Sequence, residues 1–213
     1  MTDRLEKIFA LIPNCNVFAD VGCDHGYIAF EMLKRGKAKK VIIADISKKC
    51  LSKAEQLLAP YIEQGKAVSV VADGFNGLPD CEVGLVAGMG GEEICSILLN
   101  AKSLPKTLVL QPMKNADKVR KCAVEKGYKL QKDFVFFSAD KFYDIMLLSV
   151  GKDSLTDEEI ELGRDNIKGN NPDFIKYLNA KISVINQVLV NQNLSEETKE
   201  KLQAEKGKLE KYV

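Results

Sequence analysis

The 213-residue chain contains no tryptophan, a single histidine and no long apolar run. A helix that spans a membrane needs about 20 consecutive apolar residues, so the sequence predicts no membrane contact. The N-terminal segment carries Asp3 and Glu6 and lacks the apolar core of a secretion signal. We therefore expect a cytoplasmic protein.

Closely spaced metal ligands are also missing. The six cysteines include no pair with CxxC spacing, and His25 is the one histidine. A zinc site needs thiolates or imidazoles at short spacing, so we expect no metal. Without a secretion signal, the thiols are expected to stay reduced and to pack as small apolar side chains.

Neither sign of charge is in excess, because 31 basic residues face 30 acidic ones. The distribution is uneven, however: residues 34–53 hold eight basic residues and one acidic, and residues 102–141 hold ten and four. Such clusters predict contact with a polyanion, although solvated helix faces have the same composition. Lys37, Lys39 and Lys40 are our candidate substrate contacts. No obligate protein partner is evident.

The apolar segments are short and almost uniformly apolar, as at residues 41–44 and 83–87. Strands buried on both faces look like this, and their alternation with helical segments predicts an α/β fold with a doubly wound parallel sheet. Two adjacent final strands predict a closing antiparallel pair. Beyond residue 152 the apolar spacing becomes helical and predicts a hairpin of two helices with a turn at 191–195. The expected domains are 1–152 and 153–213.

In a doubly wound sheet the ligand binds beyond the carboxyl ends of the strands. The first such loop runs from Asp20 to Gly26, and Asp24 stands where a dinucleotide-binding loop has its second glycine. A carboxylate there would repel a diphosphate but not the positively charged sulfonium of S-adenosyl-L-methionine. The loop therefore favours this cofactor, with an ordinary turn as the alternative.

Further polar residues follow the next strands. Asp45 comes 23 residues after Gly22, where a carboxylate can accept hydrogen bonds from a ribose diol; alternatively it belongs to the start of the next helix. Asp73 and Gly74 are placed to meet an adenine amino group, or they form a simple turn.

Three glycines among residues 88–91 allow close backbone approach to a ligand. Met89 would cover a base or line the methyl-transfer cavity, and Gln111 would bind the edge of an acceptor base. His25 contacts either local backbone or a ligand. The complete set of candidate cofactor-binding residues is Asp20, Gly22, Cys23, Asp24, His25, Gly26, Asp45, Ile46, Asp73, Gly74, Gly88, Met89 and Gly90.

The motifs ADVGCDHGYIA, ADIS, ADG, AGMGG and LQP, in this order, resemble those of the bacterial tRNA (adenine-N1)-methyltransferases that modify adenine 22 in the D-arm. The resemblance implies a Rossmann-like class I methyltransferase domain, S-adenosyl-L-methionine as cofactor, tRNA as substrate and a coiled-coil-like helical C-terminal domain. Two positions depart from the family pattern, which often has proline at Ala29 and asparagine at Met113. The second departure puts a role for the side chain at 113 in doubt.

The implied reaction needs alignment more than a base, because adenine N1 carries an in-plane lone pair and is nucleophilic without losing a proton. The product is cationic, so a carboxylate would stabilise it; Asp24 is the candidate, and Gln111 is a second catalytic candidate. Tyr27 would stack on the extruded base. The alternatives are a non-catalytic RNA-binding module with this fold and a small-molecule methyltransferase.

Overall fold

The computed structural model describes residues 1–169, 171–190 and 194–213. The strands are β1 (Cys15–Val21), β2 (Ala38–Asp45), β3 (Ala67–Val71), β4 (Val83–Met89), β5 (Thr107–Pro112), β6 (Tyr128–Ser138) and β7 (Lys141–Val150). The helices are α1 (Asp3–Leu11), α2 (Tyr27–Lys34), α3 (Lys48–Glu63), α4 (Gly91–Asn100), α5 (Ala116–Glu125), α6 (Asp157–Leu162), α7 (Arg164–Lys168), α8 (Pro172–Leu189) and α9 (Glu196–Glu210). Across the described ranges, no helix is both long enough and apolar enough to cross a bilayer.

The strands form one seven-stranded sheet in the order β3-β2-β1-β4-β5-β7-β6. Strands β1 to β5 pair in parallel, whereas β7 runs antiparallel to both β5 and β6. Helices α1 to α3 contribute to the apolar core on one face of the sheet, and α4 and α5 contribute to the core on the other. The predicted α/β fold with its closing antiparallel pair is confirmed.

The outer edge of β6 is covered by side chains from the helical segment. An edge strand exposes unpaired N–H groups that can recruit another strand. Here three of them donate to side-chain oxygens at 2.9–3.0 Å: Asp133 to Asp165, Val135 to Asn166, and Phe137 to Asp173. These bonds take the place of a further strand.

These hydrogen bonds cross the predicted division between residues 1–152 and 153–213, so α7 and the start of α8 are fastened to the sheet. The division itself stays a prediction. Helices α8 and α9 share an apolar cluster that includes Leu178, Ile185 and Leu209. The predicted turn at 191–195 includes residues 191–193, which lie outside the described residues, and coiled-coil packing of the two helices stays a prediction.

A buried arginine joins α5, the β6–β7 pair and α6. Arg120 Nε lies 3.0 Å from both carboxylate oxygens of Asp133, and the two side chains are 1% and 0% exposed. Its other nitrogens donate to Asp144 at 2.6 Å and to the carbonyl of Ile160 at 3.1 Å. Asp133 also accepts the main-chain N–H of Arg164 at 2.8 Å. The cluster therefore ties the helical segment to the sheet.

We predict that Arg120→Met lowers the free energy of unfolding by about 3–5 kcal/mol, because it leaves the Asp133 carboxylate buried without its cation. Urea unfolding measures the change. Arg35→Met is the matched control: Arg35 also pairs with carboxylates, on Glu6 and Glu31, but is 43% exposed. Exposed pairs of this kind contribute about 1 kcal/mol or less. Equal losses in the two variants would contradict the role assigned to burial.

Candidate functional site

A cleft of about 430 Å³ opens at the carboxyl edge of the sheet, between α1, the loop after β1 and the end of β4. Eight of the predicted site residues line it: Asp20, Gly22, Cys23, Asp24, His25, Tyr27, Gly88 and Met89. Thr2, Arg4 and Leu5 of the N-terminal segment line it as well. The structure thus brings the first and fourth strand ends together, as the sequence predicts.

Two glycines of the first loop are required by close packing. Gly22 has φ +71°, and a Cβ there would overlap the Met89 side chain. Gly26 has φ +69°, and its Cβ would lie 2.8 Å from that of Ala54 on α3. The N–H groups of Gly22 and Cys23 both donate to the carbonyl of Ala44, at 2.8 and 3.2 Å. The loop is therefore fastened to β2 and covered by Met89.

Asp20 is a buried carboxylate in the wall of the cleft. It is 6% exposed and accepts the main-chain N–H of Ala29 at 3.3 Å. Burial raises the pKa of Asp20 to about 7, since little solvent remains to stabilise the charged form. A cation bound in the cleft would favour the ionised carboxylate.

Asp24 and His25 lie at the mouth of the cleft. The Asp24 side chain is 61% exposed and lies 3.6 Å from both Lys53 Nζ and His25 Nε2. The His25 ring stacks on Tyr27 at 5.3 Å with 13° between the planes. Within the described residues, His25 makes no side-chain bond to backbone. Its partners are the neighbouring acid and ring, and Tyr27 is 49% exposed.

The carboxylates predicted to meet the nucleoside lie at the ends of β2 and β3, beside the cleft. Asp45 Oδ1 accepts the N–H of Ser47 at 2.8 Å, which agrees with the helix-start alternative. In the part of the chain that the structure describes, Oδ2 has no hydrogen bond and can still accept one. Asp73 and Ile46 are exposed. Gly74 has φ +63°, and a Cβ there would lie 2.9 Å from Ile97.

The glycine-rich turn after β4 packs on the turn after β5. The β4–β5 register shifts between Ala87 and Met89, and Gly88 has φ +80°. The N–H of Gly91 donates to the carbonyl of Lys114 at 3.0 Å, and a Cβ at Gly91 would overlap the carbonyl of Asn115. Gly90 precedes α4 as its N-cap. The turn is therefore held next to the end of β5.

Gln111 does not present its amide to a base, which corrects the sequence prediction. Its side chain is fully buried, Nε2 donates to the carbonyl of Pro112 at 2.8 Å, and Oε1 accepts from Arg4 Nε at 3.0 Å. The residue that reaches the cleft is Arg4. Sequence reasoning missed it because a basic residue on an amphipathic helix carries no signal of a site.

The structure places the three lysines that are predicted to contact the substrate away from the cleft, and their contact with tRNA stays a prediction. Lys37 Nζ donates to the carbonyls of Phe9, Ala10 and Ile12 at 2.9, 3.4 and 2.5 Å, so its three donors are used at the end of α1. Lys39 and Lys40 are exposed at the start of β2. The strand's rise of about 3.3 Å per residue puts them roughly 17–20 Å from Asp45. They lie at the edge opposite the cleft.

Other exposed lysines lie at the carboxyl edge. Lys48, Lys49 and Lys53 belong to the first two turns of α3, and Lys114 follows β5. A Cβ at Gly90 would lie 3.4 Å from Lys114 Cε. These side chains are better placed than Lys39 and Lys40 to meet an anion that enters the cleft.

Asp20 gives a prediction for stability against pH. Its pKa is near 7 in the folded chain and ordinarily near 3.8, so between these values the folded state holds the proton that the unfolded state has lost. The unfolding free energy contributed by Asp20 therefore falls as pH rises through this window, by at most about 4 kcal/mol. Asn has no proton to lose in this window. The unfolding free energy of Asp20→Asn, minus that of the parent, should therefore rise from pH 4 to 8.

Urea unfolding at several pH values measures this difference. Asp24→Asn alters an exposed carboxylate of the same loop and is the control. A stability difference between Asp20→Asn and the parent that is constant from pH 4 to 8 would contradict the assignment.

Named relatives resemble the chain over most of its length. A Mycoplasma pneumoniae protein named as a candidate tRNA methyltransferase is 29% identical over 172 residues, which are 76% of this chain and 79% of that protein. The tRNA (adenine(22)-N(1))-methyltransferase of Bacillus subtilis is 26% identical, with 71% and 66% covered. The structure of M. capricolum TrmK with S-adenosyl-homocysteine superposes with a TM-score of 0.87 at 23% identity, with 100% and 97% covered.

A family model described as "Methyltransferase domain" matches residues 1–146. These residues contain β1 to β5, the cleft and every strand-end residue described above. Since the match spans well over half of the 213 residues, this chain belongs to the methyltransferase-domain family.

Proposed function

We propose that this chain transfers a methyl group from S-adenosyl-L-methionine to N1 of an adenine in tRNA, at position 22 in the D-arm. The observation that carries the proposal is the row of carboxylates at the ends of β1, β2 and β3, beside the cleft that Gly22 and Gly88 line. The relatives named as tRNA methyltransferases supply the substrate class.

The residues present fit the cofactor. The buried Asp20 carboxylate complements a positively charged ligand in the cleft, and the Asp45 carboxylate keeps one oxygen available for a ribose diol. Gly22 and Gly88, both at positive φ, allow close approach of backbone to a ligand. When bound, S-adenosyl-L-methionine supplies an electrophilic methyl group. Because Met89 covers Gly22, its side chain must move to admit a ligand there.

The protein's part in the reaction is to hold the base in line with the methyl group. Adenine N1 needs no general base, and alignment of reacting groups can supply about 7–11 kcal/mol of the barrier. N1 lies on the Watson–Crick edge, so the base must be unpaired or extruded. The stacked pair of His25 and Tyr27 offers an exposed aromatic surface for it at the cleft mouth.

Asp24 remains the proposed stabiliser of the cationic product. Its carboxylate is largely exposed and shared with Lys53, so water and the ammonium weaken its field. We therefore expect a modest effect: Asp24→Asn should lower turnover at saturating substrates by about tenfold or less.

The direct test incubates the protein with labelled S-adenosyl-L-methionine and unmodified tRNA, followed by nucleoside analysis. 1-Methyladenosine is expected, and a tRNA with guanine at position 22 should stay unlabelled. Cofactor binding without methylation of any tRNA would favour the RNA-binding module, and methylation of free adenosine in preference to tRNA would favour a small-molecule enzyme.

Asp45 provides a test of the cofactor site. In Asp45→Asn the amide oxygen can still accept the Ser47 N–H, but the charged acceptor is lost. Loss of the hydrogen bond that the charged Oδ2 would accept, about 1.5–3 kcal/mol, should weaken S-adenosyl-L-methionine binding by about 10–150-fold. Isothermal titration measures the change. Asp80→Asn is the matched control, since Asp80 is exposed and precedes β4, at the opposite edge. Equal affinities of the two variants would remove Asp45 from the site.

The lysines provide a test of the tRNA surface. Lys49→Ala with Lys114→Ala should reduce the slope of log K for tRNA against log salt by about 1.5, since each phosphate contact contributes about 0.7–0.9. The double variant Lys39→Ala with Lys40→Ala removes the same charge from the opposite edge and should leave the slope close to the parent's. If the slope falls in the Lys39→Ala, Lys40→Ala variant and not in the Lys49→Ala, Lys114→Ala variant, the tRNA surface lies at the start of β2.

A further inference from the structure

Arg4 of α1 lines the cleft beside the ends of β4 and β5. Its Nε donates to Gln111 Oε1 at 3.0 Å, and its Cζ lies 5.3 Å from the centroid of the Tyr143 ring. A Cβ at Gly88 would lie 3.0 Å from its Nη2. The guanidinium is therefore held by a buried amide and an aromatic face, beside the glycine-rich turn.

Arg4 differs from the other arginines in its partners. Arg35, Arg120 and Arg164 each pair with carboxylates. Among the described residues Arg4 has no carboxylate partner, and its Nη1 and Nη2 have no acceptor. A guanidinium has five N–H donors, and the Nη atoms of the partly exposed Arg4 are accessible from solvent. Four directed donors thus remain for a ligand of the cleft.

The position of Arg4 along the sheet indicates which ligand. In the strand order, Asp45 ends β2 and Asp73 follows β3 on one side of β1, whereas Gly88 and Gln111 belong to β4 and β5 on the other. The carboxylates suit the nucleoside part of the cofactor. Arg4 lies on the β4–β5 side, so it faces a substrate that enters the cleft from that side.

We propose that Arg4 binds a phosphate of the target nucleotide and so positions the adenine, an inference that rests on the proposed function and names a residue of its substrate site. A planar guanidinium with two free terminal nitrogens matches phosphate oxygens in a bidentate manner. Arg4 and Tyr27 line the same cleft. The base attached to a phosphate bound by Arg4 can therefore reach the stacked rings of His25 and Tyr27 at the mouth.

The rest of α1 is held so that Arg4 is preorganised. Lys37 binds three carbonyls at the end of the helix. Arg35 binds both carboxylate oxygens of Glu6 at 3.0 and 2.7 Å, and Lys7 donates to the carbonyl of Phe137 at 3.1 Å. A side chain already fixed in place loses little entropy when it binds a ligand. Lys37 therefore contributes to the position of Arg4 by fixing the end of α1.

The test compares Arg4→Met, Arg4→Lys and the control Lys66→Met, which removes an exposed cation directly before β3, at the edge of the sheet opposite the cleft. Arg4→Met should lower kcat/KM for tRNA by about 10–100-fold through a raised KM, as expected for a lost charged hydrogen-bond pair. Its salt slope for tRNA binding should fall by about 0.7–0.9. Arg4→Lys keeps the charge and should recover the slope but only part of kcat/KM.

Arg4 could bind either a phosphate of the nucleotide or the carboxylate of the cofactor. The affinity for S-adenosyl-L-methionine, measured by isothermal titration, distinguishes these two anions. We expect it to stay close to that of the parent in all three variants. A loss of cofactor affinity in Arg4→Met as large as its loss of kcat/KM would overturn the proposal, because Arg4 would then hold the cofactor's carboxylate. Unchanged kcat/KM and slope in an active, folded Arg4→Met would overturn it as well. An inert parent would instead overturn the proposed function, and the role of Arg4 with it.

Discussion

Close approach of main chains at the carboxyl edge of the sheet determines the form of the site. Gly22 lies under Met89, Gly26 against Ala54, and Gly91 against the carbonyl of Asn115, and in each case a Cβ would overlap its neighbour or lie too near it. Protein interiors are packed too densely to absorb such overlaps without moving backbone. The loops after β1 and β4 can therefore pack this closely against their neighbours only with glycine at these positions. The cleft between the two loops depends on this close packing.

The cleft combines charges of opposite sign in partly buried surroundings. The Asp20 carboxylate at the end of β1 attracts a cation, and the Arg4 guanidinium beside β4 and β5 attracts an anion. Charges shielded from water act more strongly than exposed ones. This polarity suits the proposed reaction, in which a cationic cofactor meets an anionic nucleotide.

The sequence predicts those parts of the fold and site that depend on local pattern. Uniformly apolar strands identify the parallel sheet, and the residues that follow them, such as Asp45 and Gly88, necessarily lie at one edge. The errors concern side chains whose partners are distant in sequence. Gln111 is bound by Arg4, 107 positions away, and Lys37 by carbonyls 25–28 positions away. The spacing of residues in the sequence does not indicate such contacts, since they form only when α1 packs on the sheet.

The helical segment depends on the sheet in the same non-local way. Asp165, Asn166 and Asp173 accept the outward N–H groups of β6, while the buried Arg120 joins Asp133 of that strand to the carbonyl of Ile160. An unpaired edge strand invites pairing with another chain, and Asp133 without its cation would be a buried uncompensated charge. Residues 157–169 and 171–173 therefore complete the sheet that holds the cleft, because they satisfy the edge of β6 and the charge of Asp133.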